Sequence, residues 1–139
     1  MSTTIRPELS DKNKYWIEKH RYYELKHFCL QYPMWKKTLS SLSSLGSKPT
    51  NVPISSSYGK NIDPVADYVE SSSFYSDRIE MLENVAEKTD PDLAKYILKA
   101  VTEGLSYDHL KSRLEIPCSK DTYYDRYRRF FWLLNKARN

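Results

Sequence analysis

The sequence predicts an all-α protein of five or six helices. Three observations carry this: apolar residues recur at spacings of three, four and seven; aspartate or serine, the side chains that cap helix starts, stand before most of these runs; and the runs themselves contain almost no glycine or proline.

Residues 11–31 read as the first helix, with Asp11 as N-cap and Tyr15, Tyr22, Leu25, Cys29 and Tyr32 on its spaced stripe. Pro33 ends it by removing an amide donor and restricting Tyr32, and a short second helix runs to about Leu42 with Met34, Trp35, Leu39 and Leu42 as its buried stripe. From 43 to 62 come six serines, two prolines, two glycines and no acidic residue, the composition of a linker or long loop. Asp63 and Pro64 then give an N-cap and an N1 proline. Val65, Ser72, Ile79 and Ala86 set against Tyr68, Tyr75 and Leu82 make a heptad-like seam to Lys88, weakened around Ser71. Asp90 and Pro91 repeat the start signal, and Ala94, Ile97, Leu98 and Val101 form a stripe that stops at Gly104.

Beyond Gly104 the spacing becomes specific. Ser106 caps a two-turn helix carrying Tyr107, Leu110 and Leu114; Ile116 and Pro117 form a turn; and Ser119 caps a longer helix whose Tyr123, Tyr127, Phe130, Phe131 and Leu134 share one arc. This is the order of a helix-turn-helix, in which Leu110 and Leu114 pack on the last helix, Ile116 plugs the corner and the first turns of the last helix project outward. The expected DNA-binding residues are Lys120, Asp121, Thr122, Tyr124, Asp125, Arg126, Arg128 and Arg129. Arginine suits guanine edges and phosphates, and hydroxyls suit phosphate oxygens. Asp121 and Asp125 cost affinity beside a DNA backbone unless they read a base, orient an arginine or lie off the interface. The resulting organisation is an N-terminal helical arm (1–42), a serine-rich loop (43–62), a connecting helix (63–89) and a helix-turn-helix domain (90–139).

Charge follows the same division. Segment 1–42 has 8 basic and 4 acidic residues, 63–118 has 6 and 12, and 119–139 has 6 and 2, so a basic tail follows an acidic middle. One surface then suits a polyanion and another does not. No apolar run is long enough for a membrane span, and the N-terminus has no signal-peptide core, so a cytoplasmic location is expected. Cys29 and Cys118, far apart and without a CxxC, fit a reducing compartment. Three glycines exclude a glycine-rich phosphate loop, and no nucleophile triad or carboxylate pair is defensible; an enzyme and a cofactor are not expected. His20, His27 and Cys29 share a helix without a fourth ligand, so no metal is expected, and Cys118 reads as a small filler at the corner.

The stretch VTEGLSYDHLKSRLEIPCSKDTYYDRYRRFFWLL resembles the C-terminal helix-turn-helix of RinA-like and ArpU-like phage transcriptional regulators, a domain similar to region 4 of sigma factors. QYPMWKKTLSSL, the polar loop, DPVADYV and YSDRIEMLE follow the element order of RinA-like proteins, so the resemblance extends over most of the chain. The turn Pro-Cys-Ser-Lys-Asp is longer than in many sigma-like domains. The resemblance implies an activator of phage or prophage late genes, acting in a bacterial host by sequence-specific binding of double-stranded DNA. A dimer is expected, since one helix-turn-helix reads only a few base pairs, joined through the seam of the connecting helix or through Tyr22 and Trp35 of the arm. An aromatic surface on that arm, with Tyr22, Tyr23 and Trp35, suits a second copy or RNA polymerase, although core packing within the monomer is the preferred reading. Two other functions compete: a small terminase-like packaging component, which would assemble as a large ring, and a protein-interaction module, whose binding would not depend on salt.

Overall fold

The computed structural model describes residues 13–46 and 64–139. These residues form six helices and no strand: α1 (Lys19–Leu30), α2 (Tyr32–Gly46), α3 (Pro64–Thr89), α4 (Ala94–Glu103), α5 (Tyr107–Leu114) and α6 (Lys120–Ala137). The α3 helix, 26 residues and so about 39 Å long, runs unbroken through Ser71–Ser73 and packs against α2, α4 and α6. On its other sides α6 meets α1 and α4, and α4 in turn packs on α1, α2, α3, α5 and α6, which makes α4 the central helix of the bundle.

One hydrophobic core joins all six helices. Tyr22, Leu25 and Cys29 of α1, Leu82 of α3, Ile97 of α4, Leu110 of α5, and Tyr123, Phe130, Phe131 and Leu134 of α6 are all essentially inaccessible. Tyr22 stands edge-on to Phe131 with ring centroids 5.2 Å apart, and its hydroxyl shares a 2.5 Å hydrogen bond with that of Tyr127. Burial pushes the Tyr127 phenol well above its usual range. At the far end Tyr32 donates to Glu83 Oε2 at 2.7 Å, which ties α2 to α3.

Several sequence expectations change. The first helix begins at Lys19, capped by Glu18, whose carboxylate accepts from the Arg21 amide. Asp11 lies outside the described residues, as do Asp63 and the segment 47–63. Ahead of α1, Asn13 Oδ1 accepts from the Tyr15 amide at 2.8 Å, and the chain then alternates, with Tyr15 and Ile17 buried and Trp16 40% exposed. That period of two is why Tyr15 does not extend the helical stripe. In α2 the buried stripe runs through Tyr32, Trp35 and Leu39, and Met34, about 100° from Trp35 around the helix, is 54% exposed.

Asp90–Pro91 is not the start of α4. Residues 91–93 form a turn, and Leu93 is the N-cap, with no side-chain bond. Asp90 instead accepts from the Asp92 amide at 3.0 Å and from Arg126 Nε at 2.9 Å, which binds the α3–α4 turn to α6. Burial raises the Asp90 carboxyl, but Arg126 and the amides of Asp92 and Leu93 outweigh it and hold it below the usual carboxylate range. Its contribution to stability is therefore complete above the unfolded carboxylate value of about 4 and lost as pH falls through the folded one. Asp90→Asn is expected to cost on the order of 1 to 2 kcal/mol at neutral pH. Urea titrations at neutral and acidic pH check this, since the difference from the natural chain should vanish once Asp90 is protonated.

The apolar residues expected to join two copies are largely used within one. Tyr22, Trp35, Ile79, Leu82 and Ala86 are buried in the shared core, and Tyr68 and Tyr75 are half-buried. Among the described side chains, the large apolar ones exposed on α3 are Val69 and Phe74, 54% and 47% exposed, in its N-terminal half.

Candidate nucleic-acid interface

The corner between α5 and α6 follows from local chain chemistry. Gly104 ends α4 in the left-handed region (φ 70°), a conformation that costs glycine little, and turns the chain into Leu105 and Ser106. Ser106 caps α5 by accepting from the His109 amide, and Ser119 caps α6 by accepting from the Thr122 amide, each at 3.2 Å. Between them Glu115 is left-handed (φ 55°), and the Ile116 amide donates to the Leu110 carbonyl at 3.2 Å. Tyr107 donates its hydroxyl to the Cys118 carbonyl at 2.6 Å, and its ring lies 5.7 Å from that of Tyr123.

Leu110, Ile116 and Tyr123 are buried at this corner, whereas Leu114, expected among them, is half-buried. Cys118 is also half-buried; burial, then the nearby Asp90 charge, push its thiol up, which suits a filler and not a reactive thiolate. Ser119→Ala removes the only side-chain cap of α6 and should lower stability by about 1 kcal/mol, a shift of a few degrees in the thermal midpoint.

The predicted contact residues divide into three groups. Lys120 and Asp121, in the first turn of α6, are exposed. Thr122 and Tyr124 are half-buried; Thr122 Oγ1 accepts from Ser119 at 3.1 Å, and the Tyr124 ring packs on Tyr123 and Tyr127. The remaining four, Asp125, Arg126, Arg128 and Arg129, are half-buried further along. Of these, Arg126 is held by Asp90 and by Asp125, so it anchors the fold, and Asp125 is neutralised by the same pairing. Arg129 donates to the Tyr15 hydroxyl at 3.3 Å. From Thr122 to Asn135 no residue of α6 is fully exposed, because the helix is sheathed by its neighbours.

The exposed cations at the corner therefore include two that helix-face reasoning on α6 alone passes over. Lys111 and Arg113 lie in the last turn of α5, exposed and outside the ion pairs of the described residues, and with Lys120 they flank the turn. Asp108, Glu115 and Asp121 are exposed nearby, so the corner is mixed in sign.

His20 and His27 are exposed while Cys29 is fully buried, and among the described residues no group of His, Cys, Asp and Glu is arranged to hold a metal ion. No described helix is long and apolar enough to cross a membrane. Compared with protein-family models, curated proteins and solved structures, the chain matches none.

Proposed function

We propose that this chain binds double-stranded DNA through the α5–turn–α6 unit and acts as a transcriptional regulator without catalysis. One observation carries the reading: two serine-capped helices meet over a plug of Leu110, Ile116 and Tyr123, leaving Lys120 and Asp121 at the start of the second helix exposed. That is the arrangement with which a helix-turn-helix presents its second helix to a major groove. Lys111, Arg113 and Lys120 supply phosphate contacts around it, and Asp121 is left to accept from a cytosine amino group or to lie off the groove.

The narrower role, activation of phage or prophage late genes in a bacterial cytoplasm, rests on the resemblance of 90–137 to RinA-like and ArpU-like regulators. RNA polymerase is the partner this role implies. A homodimer built outside the corner would use the exposed half of α3 around Val69 and Phe74, since Tyr22, Trp35, Ile79, Leu82 and Ala86 are spent on the core.

Incubating the purified chain with fragmented phage and host DNA, then sequencing what is retained, tests the reading. Enrichment of discrete sites upstream of late genes is expected; retention without sequence preference would overturn the regulator. Sedimentation of the same sample separates the packaging alternative, since a monomer or dimer fits regulation and a large ring fits packaging.

A further inference from the structure

We propose that the C-terminal half of α6 and the residues leading into α1 form a second contact surface for the phosphate backbone of duplex DNA, separate from the α5–α6 corner. The proposal rests on the DNA-binding reading for the identity of the polyanion, but on residues outside the corner formed by Lys111, Arg113 and Lys120; of them, Arg128 and Arg129 are among the contact residues expected from the sequence, and Lys14 and Lys136 are not.

The surface is a continuous alternation of cations and rings. Lys14 Nζ lies 5.0 Å from the Tyr15 ring centroid, the Tyr15 and Trp132 rings are 5.5 Å apart, and Lys136 Nζ stands 3.7 Å over Trp132. Arg129 reaches the Tyr15 hydroxyl at 3.3 Å, and Arg128 lies one turn before Trp132 on the same arc. The four cations come from two distant parts of the chain, brought together because Tyr15 folds onto α6.

Among the described residues, none of these four charges enters an ion pair. The ion pairs among the described residues join Arg21 to Glu24, Lys99 to Glu103, and Arg126 to Asp90 and Asp125. Lys14, Arg128, Arg129 and Lys136 take part in none of them. Asp125, one turn from both Arg128 and Arg129, is instead bonded to Arg126, and Arg129 Nε is buried without a hydrogen-bond partner. Four like charges held together repel one another, and a polyanion relieves that repulsion.

The cations are also partly ordered in advance. A lysine resting on an aromatic face has given up some rotamer freedom before binding, so less entropy is lost when it meets a phosphate. The rings are already stacked on one another and on the lysines, which favours contact with a backbone over insertion between unpaired bases. A surface of this kind adds positioning and affinity, not sequence preference.

The test is fluorescence anisotropy of a labelled mixed-sequence duplex titrated with full-length protein between about 50 and 200 mM salt. The variant K14Q/R128Q/K136Q is compared with the corner variant K111Q/R113Q/K120Q. Loss of three phosphate contacts should make the slope of log affinity against log salt shallower by about 2 to 3, with helical circular dichroism unchanged. If the triple variant loses its helical signal, K14Q and K136Q alone, both at exposed positions, should each reduce the slope by about 0.9. A slope equal to that of the natural chain, with only the corner variant weakened, overturns this surface and leaves the corner standing. Weakening by the first variant alone supports the surface and overturns the corner. A natural chain that does not bind the duplex overturns both.

Discussion

Phe131→Ala is expected to destabilise the protein by about 3 to 5 kcal/mol, the range for removing a phenyl ring from a packed core. Phe131 is 1% exposed and sits where α1 crosses α6. Its ring meets those of Tyr22, Tyr127 and Phe130 edge-on or nearly so, at centroid distances of 5.2, 5.1 and 5.2 Å. Truncation removes the transfer energy of the ring, opens a cavity that its neighbours can only partly fill, and forfeits several aromatic contacts worth about 0.5 to 1.5 kcal/mol each. The thermal midpoint should fall by roughly 10 °C or more for a chain of this size. A fall of only one or two degrees would mean that the N-terminal arm does not share a core with the C-terminal helices.

Leu110→Ala is expected to cost about 2 to 5 kcal/mol and to disturb the corner itself. Leu110 is fully buried, and its carbonyl also receives the Ile116 amide where the chain turns toward α6. The cavity would lie under the first turn of α6, so duplex affinity should fall further than fold stability alone explains. Leu114→Ala, at a half-buried position four residues on, should cost distinctly less. Urea denaturation of both variants checks the order, and equal losses would show that the two leucines pack alike.

The C-terminal elements were legible in the sequence because their determinants are local. Ser106, Ser119 and the left-handed Gly104 act within a few residues of themselves, so their roles follow from identity and spacing. Where a residue's partner is remote, the same reading fails. Asp90 carries the local signature of an N-cap, yet its carboxylate is taken by Arg126, 36 residues away, and the helix starts three residues beyond the expected proline. Trp35 and Met34 are adjacent and both apolar, and which is buried depends on the helices packed against α2, where Trp35 meets Phe28 of α1 at 4.8 Å between ring centroids. Glu18 is not among the favoured N-cap residues, and the short alternation from Tyr15 to Ile17 fits inside a helical window, so the start of α1 was hidden.

The candidate site was legible in part for the same reason. Periodicity places Lys120, Arg126, Arg128 and Arg129 away from the Tyr123 arc, but it cannot say that Arg126 is bound to Asp90 and Asp125 or that Arg129 donates to the Tyr15 hydroxyl. Nor does it bring Tyr15, with Lys14 over its ring, beside Trp132, since that meeting depends on the chain ahead of α1 folding back over α6.

Whether the α5–α6 corner is the surface that meets DNA is tested most directly by amide chemical-shift mapping of the isotopically labelled full chain as a short duplex is added. The account predicts that the amides of 106–124 shift or broaden in proportion to duplex, with Lys111, Arg113, Lys120 and Thr122 among the most affected, while those of 66–78 on α3 stay in place. Perturbations concentrated on α3, or a spectrum unmoved by excess duplex at low salt, would contradict it.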